Sequence, residues 1–362
     1  MKVLHVETGR HFYGGPQQVI YLLRGLHESG VRTVLACVAE SDIDKAARGL
    51  DIKVYNLPSA GDLDVTLVWW LRQIVRWETP DIMHCHSRRG ADLLGGIAAR
   101  LGHTPAVVSR RVDHAEPGFL AGIRYHPFCK VIAISENVAD SLRESGVDDD
   151  RVTVIRSAVE FERFQASPAR DLLQQFSLQE EDCAIASAGQ LIARKGHRYL
   201  LEAMAGVVRS LPRVKLVVFG EGALEAELKE QAQQLGLTQN VRFAGFRNDL
   251  DDYLGAFDLL VHPALREGLG VSMLKAAAAG VPVVAFDVAG AREAVVNGRT
   301  GLLVTPKDSR ALEQAMLQLL RDPALRRSLG EEARHRMRTE FSIDTMVDRH
   351  IQLYETILNG SG

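Results

Sequence analysis

A chain of 362 residues exceeds what a single hydrophobic core ordinarily serves, so two domains are expected. Its 46% hydrophobic and 25% charged residues describe a globular protein, and a formal net charge of -3 excludes a general pull toward nucleic acid. Four scattered cysteines (37, 85, 129 and 183), with no CxxC pair, argue against a disulfide scaffold or zinc site and for a reducing, cytoplasmic compartment. No apolar run is long enough for a membrane span, and the first residues read as a strand rather than a signal peptide.

Short β-branched runs alternate with longer amphipathic stretches, the pattern of parallel sheets built from βαβ units. In chain order the first half predicts strands at 3–7, 33–38, 53–57, 81–86, 106–111, 131–135 and 152–157, with helices over 17–29 and 65–77. Residues 160–178 are polar, and a linker is expected within 164–169. The second half predicts strands at 183–188, 215–220, 241–245, 259–262, 281–286 and 301–304, with helices over 224–235 and 309–321. Apolar residues at helical spacing close the chain over 341–358. The expected class is α/β, with two Rossmann-like domains of residues 1–163 and 164–340.

Several groups of residues could carry chemistry. Gly14-Gly15 lie between the first strand and first helix, where a flexible turn opening onto a helix N-terminus can receive phosphate or a sugar hydroxyl. Loop chemistry alone explains them equally well. His84 and His86, two apart at a strand end, point to one face. The pair Arg88-Arg89 and the pair Arg110-Arg111 follow successive strands and suggest an anionic acceptor, since guanidinium forks grip carboxylate and phosphate. The window 81–130 holds seven Lys/Arg against four acids, a local charge of about +3. No set of ligands beyond the histidine pair suggests a metal site. Trp69, Trp70 and Trp77, with Arg72 and Arg76, fall on the 65–77 helix; core packing with a solvated Arg edge is preferred over a membrane-facing role.

In the second half, the segment from Arg266 to Ala285 gives a carboxylate, Glu267, then the turn Gly268-Leu269-Gly270-Val271, an Ala-rich helix, and a strand introduced by Gly280-Val281-Pro282. In wording and spacing it resembles the signature of retaining glycosyltransferases of family 4, and the likeness extends over essentially the whole chain. It implies the GT-B fold: two Rossmann-like domains facing across a cleft, with a last helix, 341–362, crossing back to the first domain. It also implies transfer of a sugar from a nucleotide-diphospho donor to a glycan or lipid-linked acceptor with retention, in bacterial envelope polysaccharide or lipopolysaccharide synthesis. The donor, of UDP, GDP or ADP type, is a substrate, and neither cofactor nor metal is expected. A cytoplasmic location with optional contact to the inner membrane face is expected as well.

The resemblance assigns Glu267, Lys195 and His86 to catalysis. The donor would meet Gly14, Gly15, Gln190, Arg194, Gly220, Gly222, Phe246, Gly268, Leu269, Gly270, Val271 and Lys275, and the acceptor Arg88, Arg110 and Arg111. Two donor-contact positions depart from the family pattern. Gln190 stands where Arg is usual, and Lys275 stands where a second Glu holds the ribose. Alternative readings are a nucleotide-sugar epimerase or hydrolase on the same architecture, or a non-catalytic sugar-nucleotide-binding protein.

Overall fold

The computed structural model describes residues 1–10, 14–58, 64–86, 90–113, 116–164 and 170–360. The chain divides into two compact units, Met1–Ala158 with Ile343–Gly362, and Val159–Ser342.

The first unit runs β1 (Lys2–Glu7), α1 (Gly14–Glu28), β2 (Arg32–Val38), α2 (Asp42–Ala47), β3 (Lys53–Leu57), α3 (Thr66–Glu78), β4 (Ile82–Cys85), α4 (Gly96–Leu101), β5 (Ala106–Arg110), α5 (Gly118–Tyr125), β6 (Lys130–Ala133), α6 (Glu136–Glu144) and β7 (Val152–Val154). Its strands pair in parallel in the order β3-β2-β1-β4-β5-β6-β7. The central strands β1, β4 and β5 are almost wholly buried, as a sheet covered on both faces requires. The sheet order reverses direction at β1, which lies between β2 and β4.

The second unit runs β8 (Cys183–Ala188), α7 (His197–Ser210), β9 (Val214–Phe219), α8 (Glu225–Gln234), β10 (Val241–Gly245), β11 (Leu259–His262), α9 (Val271–Ala278), β12 (Val283–Phe286), α10 (Ala289–Ala294), β13 (Gly301–Val304), α11 (Ser309–Arg321) and α12 (Pro323–Glu340). Here the parallel order is β10-β9-β8-β11-β12-β13, and the reversal falls at β8. Leu200, Met204, Leu312 and Met316 from α7 and α11 close its core against Ile185, Leu216 and Val261 of the sheet.

The last helix, α13 (Ile343–Asn359), belongs to the first unit. It packs Met346, Val347 and Tyr354 with Leu22 and Leu26 of α1. A Cβ on Gly25 would come within 2.4 Å of Val347 Cγ2, so the crossing of α1 and α13 needs a glycine there.

Expected and observed elements differ mainly at their ends. β7 stops at Val154 rather than 157, and α1 begins at Gly14. Gly14-Gly15, expected as a turn, therefore form the first helical turn, with Pro16 in the position where a missing N–H costs nothing. The linker expected within 164–169 falls, beyond Phe164, outside the described residues. The expectation that the α3 tryptophans pack in the core is corrected: the helix repeat carries Trp69 and Trp77 past the buried stripe, and both are exposed.

Candidate active site

In doubly wound sheets, ligand crevices open at the carboxyl ends of strands flanking the order reversal. In the second unit those strands are β8 and β11. The loop after β8 carries Gln190, Arg194 and Lys195; β11 ends in His262, and the following loop carries Glu267 to Gly270.

These loops converge. Lys195 Nζ donates to Glu267 Oε2 at 2.5 Å, and His262 Nε2 lies 2.7 Å from the same oxygen. The Gly268 amide donates to Glu267 Oε1 at 3.2 Å. The Lys195 and Glu267 side chains are only 12% and 11% exposed, so the pair is sheltered without being sealed. Burial alone would raise the Glu267 carboxyl; the His262 hydrogen bond and the Lys195 charge outweigh it and hold the pKa well below the carboxylate range. His262 is held below the usual 6.5, chiefly by burial, with the Glu267 hydrogen bond acting against that shift. It is therefore a neutral donor at neutral pH, and its Nδ1 stands 3.5 Å from Ser272 Oγ.

Tight backbone contacts fix this arrangement. Gly196 has φ +68, and a Cβ there would meet the Pro263 carbonyl at 2.0 Å. Gly270 has φ +77 and directly precedes α9, whose N-terminal amides open beside Glu267. Gly220 and Gly222 abut the Gly189 and Leu191 carbonyls, at 2.0 and 2.4 Å for a built Cβ, so sheet-end packing accounts for both. Gln190 and Arg194 are exposed, and Leu269 is fully buried. Phe246 is half exposed, its amide held by Glu221 Oε1 at 3.3 Å.

Lys275 points to buried Asp251, with Nζ to a carboxylate oxygen at 3.0 Å, and Arg163 approaches the same carboxylate at 3.5 Å. The cation at the departing position is thus neutralised within the unit. Asp251 escapes sequence inspection because nothing in its polar surroundings distinguishes it.

In the first unit the strands flanking the reversal are β1 and β4, and a histidine cluster lies at their ends. His5 and His84 are register partners. His5 Nδ1 lies 2.9 Å from His86 Nε2 and their rings stack, while the rings of His84 and His86 are tilted at 36° with centroids 3.8 Å apart. His84 Nδ1 meets Tyr354 Oη at 2.7 Å and its Nε2 meets Ser109 Oγ at 2.8 Å. His350 of α13 completes the group, its ring 5.6 Å from that of His84. Burial lowers all four, His5 to about 3 and His350 to about 4, so the cluster is neutral. Among the described residues, His86 Nδ1 and His5 Nε2 have no partner. The sequence pairs His84 with His86 but conceals His5, His350 and Tyr354, which the sheet order and α13 bring in.

The nitrogens of His5, His84 and His86 lie within 4.8 Å of one another, close enough for a metal ion. Their chemistry does not fit one. Both His84 nitrogens are engaged, no carboxylate belongs to the set, and the nearby Arg111 charge opposes a cation.

Of the acceptor candidates, Arg88 lies outside the described residues. Arg110 is committed inward: it is buried, paired with Glu116 at 2.9 Å, and donates to the Val112 carbonyl. Releasing it to an acceptor would break a buried ion pair, which is costly when one partner is left behind. Arg111 lies against the start of α1, 3.5 Å from a built Gly15 Cβ, with Glu7 supporting its charge.

A family model described as Glycosyl transferases group 1 matches residues 169–336, and one described as Glycosyltransferase Family 4 matches 13–163. The chain belongs to the group 1 glycosyltransferases. It is 28% identical to the lipopolysaccharide core biosynthesis glycosyltransferase LpsE of Rhizobium meliloti, over 98% of each chain. It is 29% identical to the capsular polysaccharide biosynthesis glycosyltransferase CapM of Staphylococcus aureus, over 75% of this chain and 76% of CapM. Anabaena Alr3699/HepE, solved in complex with UDP-glucose, superposes with a TM-score of 0.87 at 21% identity, covering 98% of this glycosyltransferase and all of HepE. That likeness gives the fold: the two parallel-sheet, Rossmann-like units are those of GT-B enzymes.

Proposed function

We propose that this glycosyltransferase moves a sugar from a nucleoside-diphospho donor to a glycan or lipid-linked acceptor, with retention, in bacterial polysaccharide or lipopolysaccharide synthesis. The names of LpsE and CapM support the pathway class, and the UDP-glucose held by HepE supports the donor class. One observation carries the site assignment: Lys195 and Glu267, 72 positions apart in sequence, meet at the N-terminus of α9. A cation and helix amides beside an ionised carboxylate suit a ligand with an anionic diphosphate on one side and sugar hydroxyls on the other.

In this reading Lys195, the α9 amides and Arg194 face the diphosphate, while Glu267, oriented by His262, accepts from sugar hydroxyls. Gly268, Gly270 and Val271 present backbone, and Phe246 lines the base. In the first unit, Gly14 and Gly15 remain donor-side candidates, Arg111 is the acceptor candidate, and His86 Nδ1 is open to a ligand. The anomeric C–O bond breaks and the diphosphate leaves with the electron pair. The acceptor oxygen bonds to the same face of the anomeric carbon, and its proton passes to a phosphate oxygen of the leaving group. Charge supplied where it develops is commonly a large catalytic effect.

Slow donor hydrolysis without acceptor tests the reading. UDP-, GDP- and ADP-sugars would be supplied singly and the released sugar read by proton NMR before mutarotation. One donor should be consumed, releasing the anomer it carried. An inverted anomer would exclude retention, and no turnover of any donor, with or without glycan acceptors, would exclude the transferase assignment.

A further inference from the structure

Helix α9 is mostly apolar and inward-facing, with Met273, Leu274, Ala276, Ala277 and Ala278 buried. Lys275 stands among them with an ammonium at its tip, a costly group to hold in such surroundings unless it is paired. Its partner is Asp251, whose side chain is 4% exposed against 18% for that of Lys275. The pair is sheltered, and the lysine side still reaches solvent.

Asp251 comes from a different element, the short turn Leu250–Asp252 between β10 and β11. Its surroundings are braced. Arg247 donates to an Asp249 carboxylate oxygen at 2.7 Å, and the Tyr253 hydroxyl donates to the same oxygen at 2.7 Å. Arg247 also lies over the rings of Phe176 and Tyr253. The turn is therefore in place before any ligand arrives. Arg163 approaches Asp251 at 3.5 Å and Asp252 at 2.8 Å. Lys275 and Arg163 against Asp251 and Asp252 leave the group formally neutral.

That balance decides what the group can read. A surplus cation would draw in a further phosphate, but here the opposite charges already cancel. A carboxylate offers about four acceptor sites and an ammonium three N–H groups, more than these contacts consume. Such a pair, with acceptor and donor side by side, matches a vicinal diol, each hydroxyl of which both donates and accepts.

Position agrees with this chemistry. Lys275 lies five residues beyond Gly270, which is about 7.5 Å along the helix from the amide end proposed for the diphosphate. On the other side, Phe246 follows β10 directly and lies five residues before Asp251, half exposed. Diphosphate, diol and base then follow one another in the order in which a nucleotide carries them.

We infer, resting on the donor reading above, that Asp251 accepts from the ribose hydroxyls of the donor nucleotide and makes this glycosyltransferase selective for ribose over deoxyribose. Lys275 is a positioning residue that holds the carboxylate toward the diol, and Arg163 continues to hold it when the lysine is removed.

Calorimetry with nucleoside diphosphates tests this. UDP, GDP and ADP are titrated first, and the one that binds is compared with its dideoxyribose counterpart. The wild type should bind the ribose form at least about tenfold more tightly, the size expected for hydrogen bonds to a charged group. Asp251→Ala should bind the two forms within about threefold of each other, by weakening the ribose form alone. Asp251→Asn, which keeps the shape and removes the charge, should shrink the preference at least about threefold, and Lys275→Met should keep it. The far-ultraviolet spectrum checks the fold of each variant, and the wild-type comparison needs none of them. Equal binding of both forms by the wild type, or an undiminished preference in a folded Asp251 variant, would overturn the inference and leave the donor reading standing. No binding of any nucleoside diphosphate would overturn the donor reading and this inference with it.

Discussion

The two units place chemistry at the same topological point and treat charge in opposite ways. At the ends of β8 and β11, Lys195 lies against the sheltered, ionised carboxylate of Glu267, with neutral His262 donating to it. At the ends of β1 and β4, four histidines are buried so fully that none is charged at neutral pH, and Tyr354 and Ser109 lock the central one. A cation paired with a carboxylate beside a helix N-terminus is the arrangement proposed above to act on a ligand. A neutral, hydrogen-bonded cluster is built to hold a shape, with His86 Nδ1 and His5 Nε2 left unbonded among the described residues. Disturbing the first should therefore cost turnover, and disturbing the second should cost stability.

The largest separation should come from Lys195→Ala, which is expected to lower kcat/KM for transfer by roughly 10²- to 10³-fold while leaving the unfolding midpoint near that of the wild type. A loss below threefold would remove Lys195 from the reaction. Next, His84→Phe strands the Tyr354 and Ser109 hydroxyls in the core and should cost about 1–3 kcal/mol in denaturant unfolding. Its folded fraction should turn over far better than Lys195→Ala, and the reverse ranking would break the comparison.

Acid should act through the same cluster. In the unfolded chain each histidine titrates near 6.5, whereas folded His5 and His350 titrate near 3 and 4. Above about 6.5 both states are neutral and this contribution is fully present. As pH falls from 6.5 toward 4 the unfolded chain binds protons that the fold refuses, so stability declines. Melting temperature against pH should show that decline, and His5→Gln should flatten it; an unchanged slope would mean that His5 does not contribute. The smallest effect is expected at Lys275. Because Asp251 retains Arg163, Lys275→Met should alter nucleotide affinity by only a few-fold, as calorimetry would report.

Much of this was legible in the sequence. Alternation of β-branched runs with amphipathic stretches located every strand of both sheets, because buried parallel strands read as continuous apolar runs. By contrast α12, 18 residues with Leu329, Ala333 and Met337 buried along an otherwise charged surface, offers little to a periodicity reading. Glu267 and Lys195 were visible because glycine turns mark both loops, but their contact was not, since 72 residues of chain separate them. His5 and His350 were hidden for the same reason: strand pairing and the return of α13 bring them to His84. Arg110 reads as a site residue in sequence because its partner Glu116, six positions on, does not announce itself as buried.

The central claim is that the Lys195–Glu267 pair at the start of α9 binds the diphosphate of a sugar nucleotide. Thermal shift with UDP, GDP and ADP, on wild type and Lys195→Ala in parallel, tests it most directly. At a hundred times its Kd a ligand adds about 2.7 kcal/mol of stability. The account predicts that one of the three nucleotides stabilises the wild type and that most of the shift disappears in Lys195→Ala. No shift with any nucleotide, or an equal shift in both proteins, would contradict it.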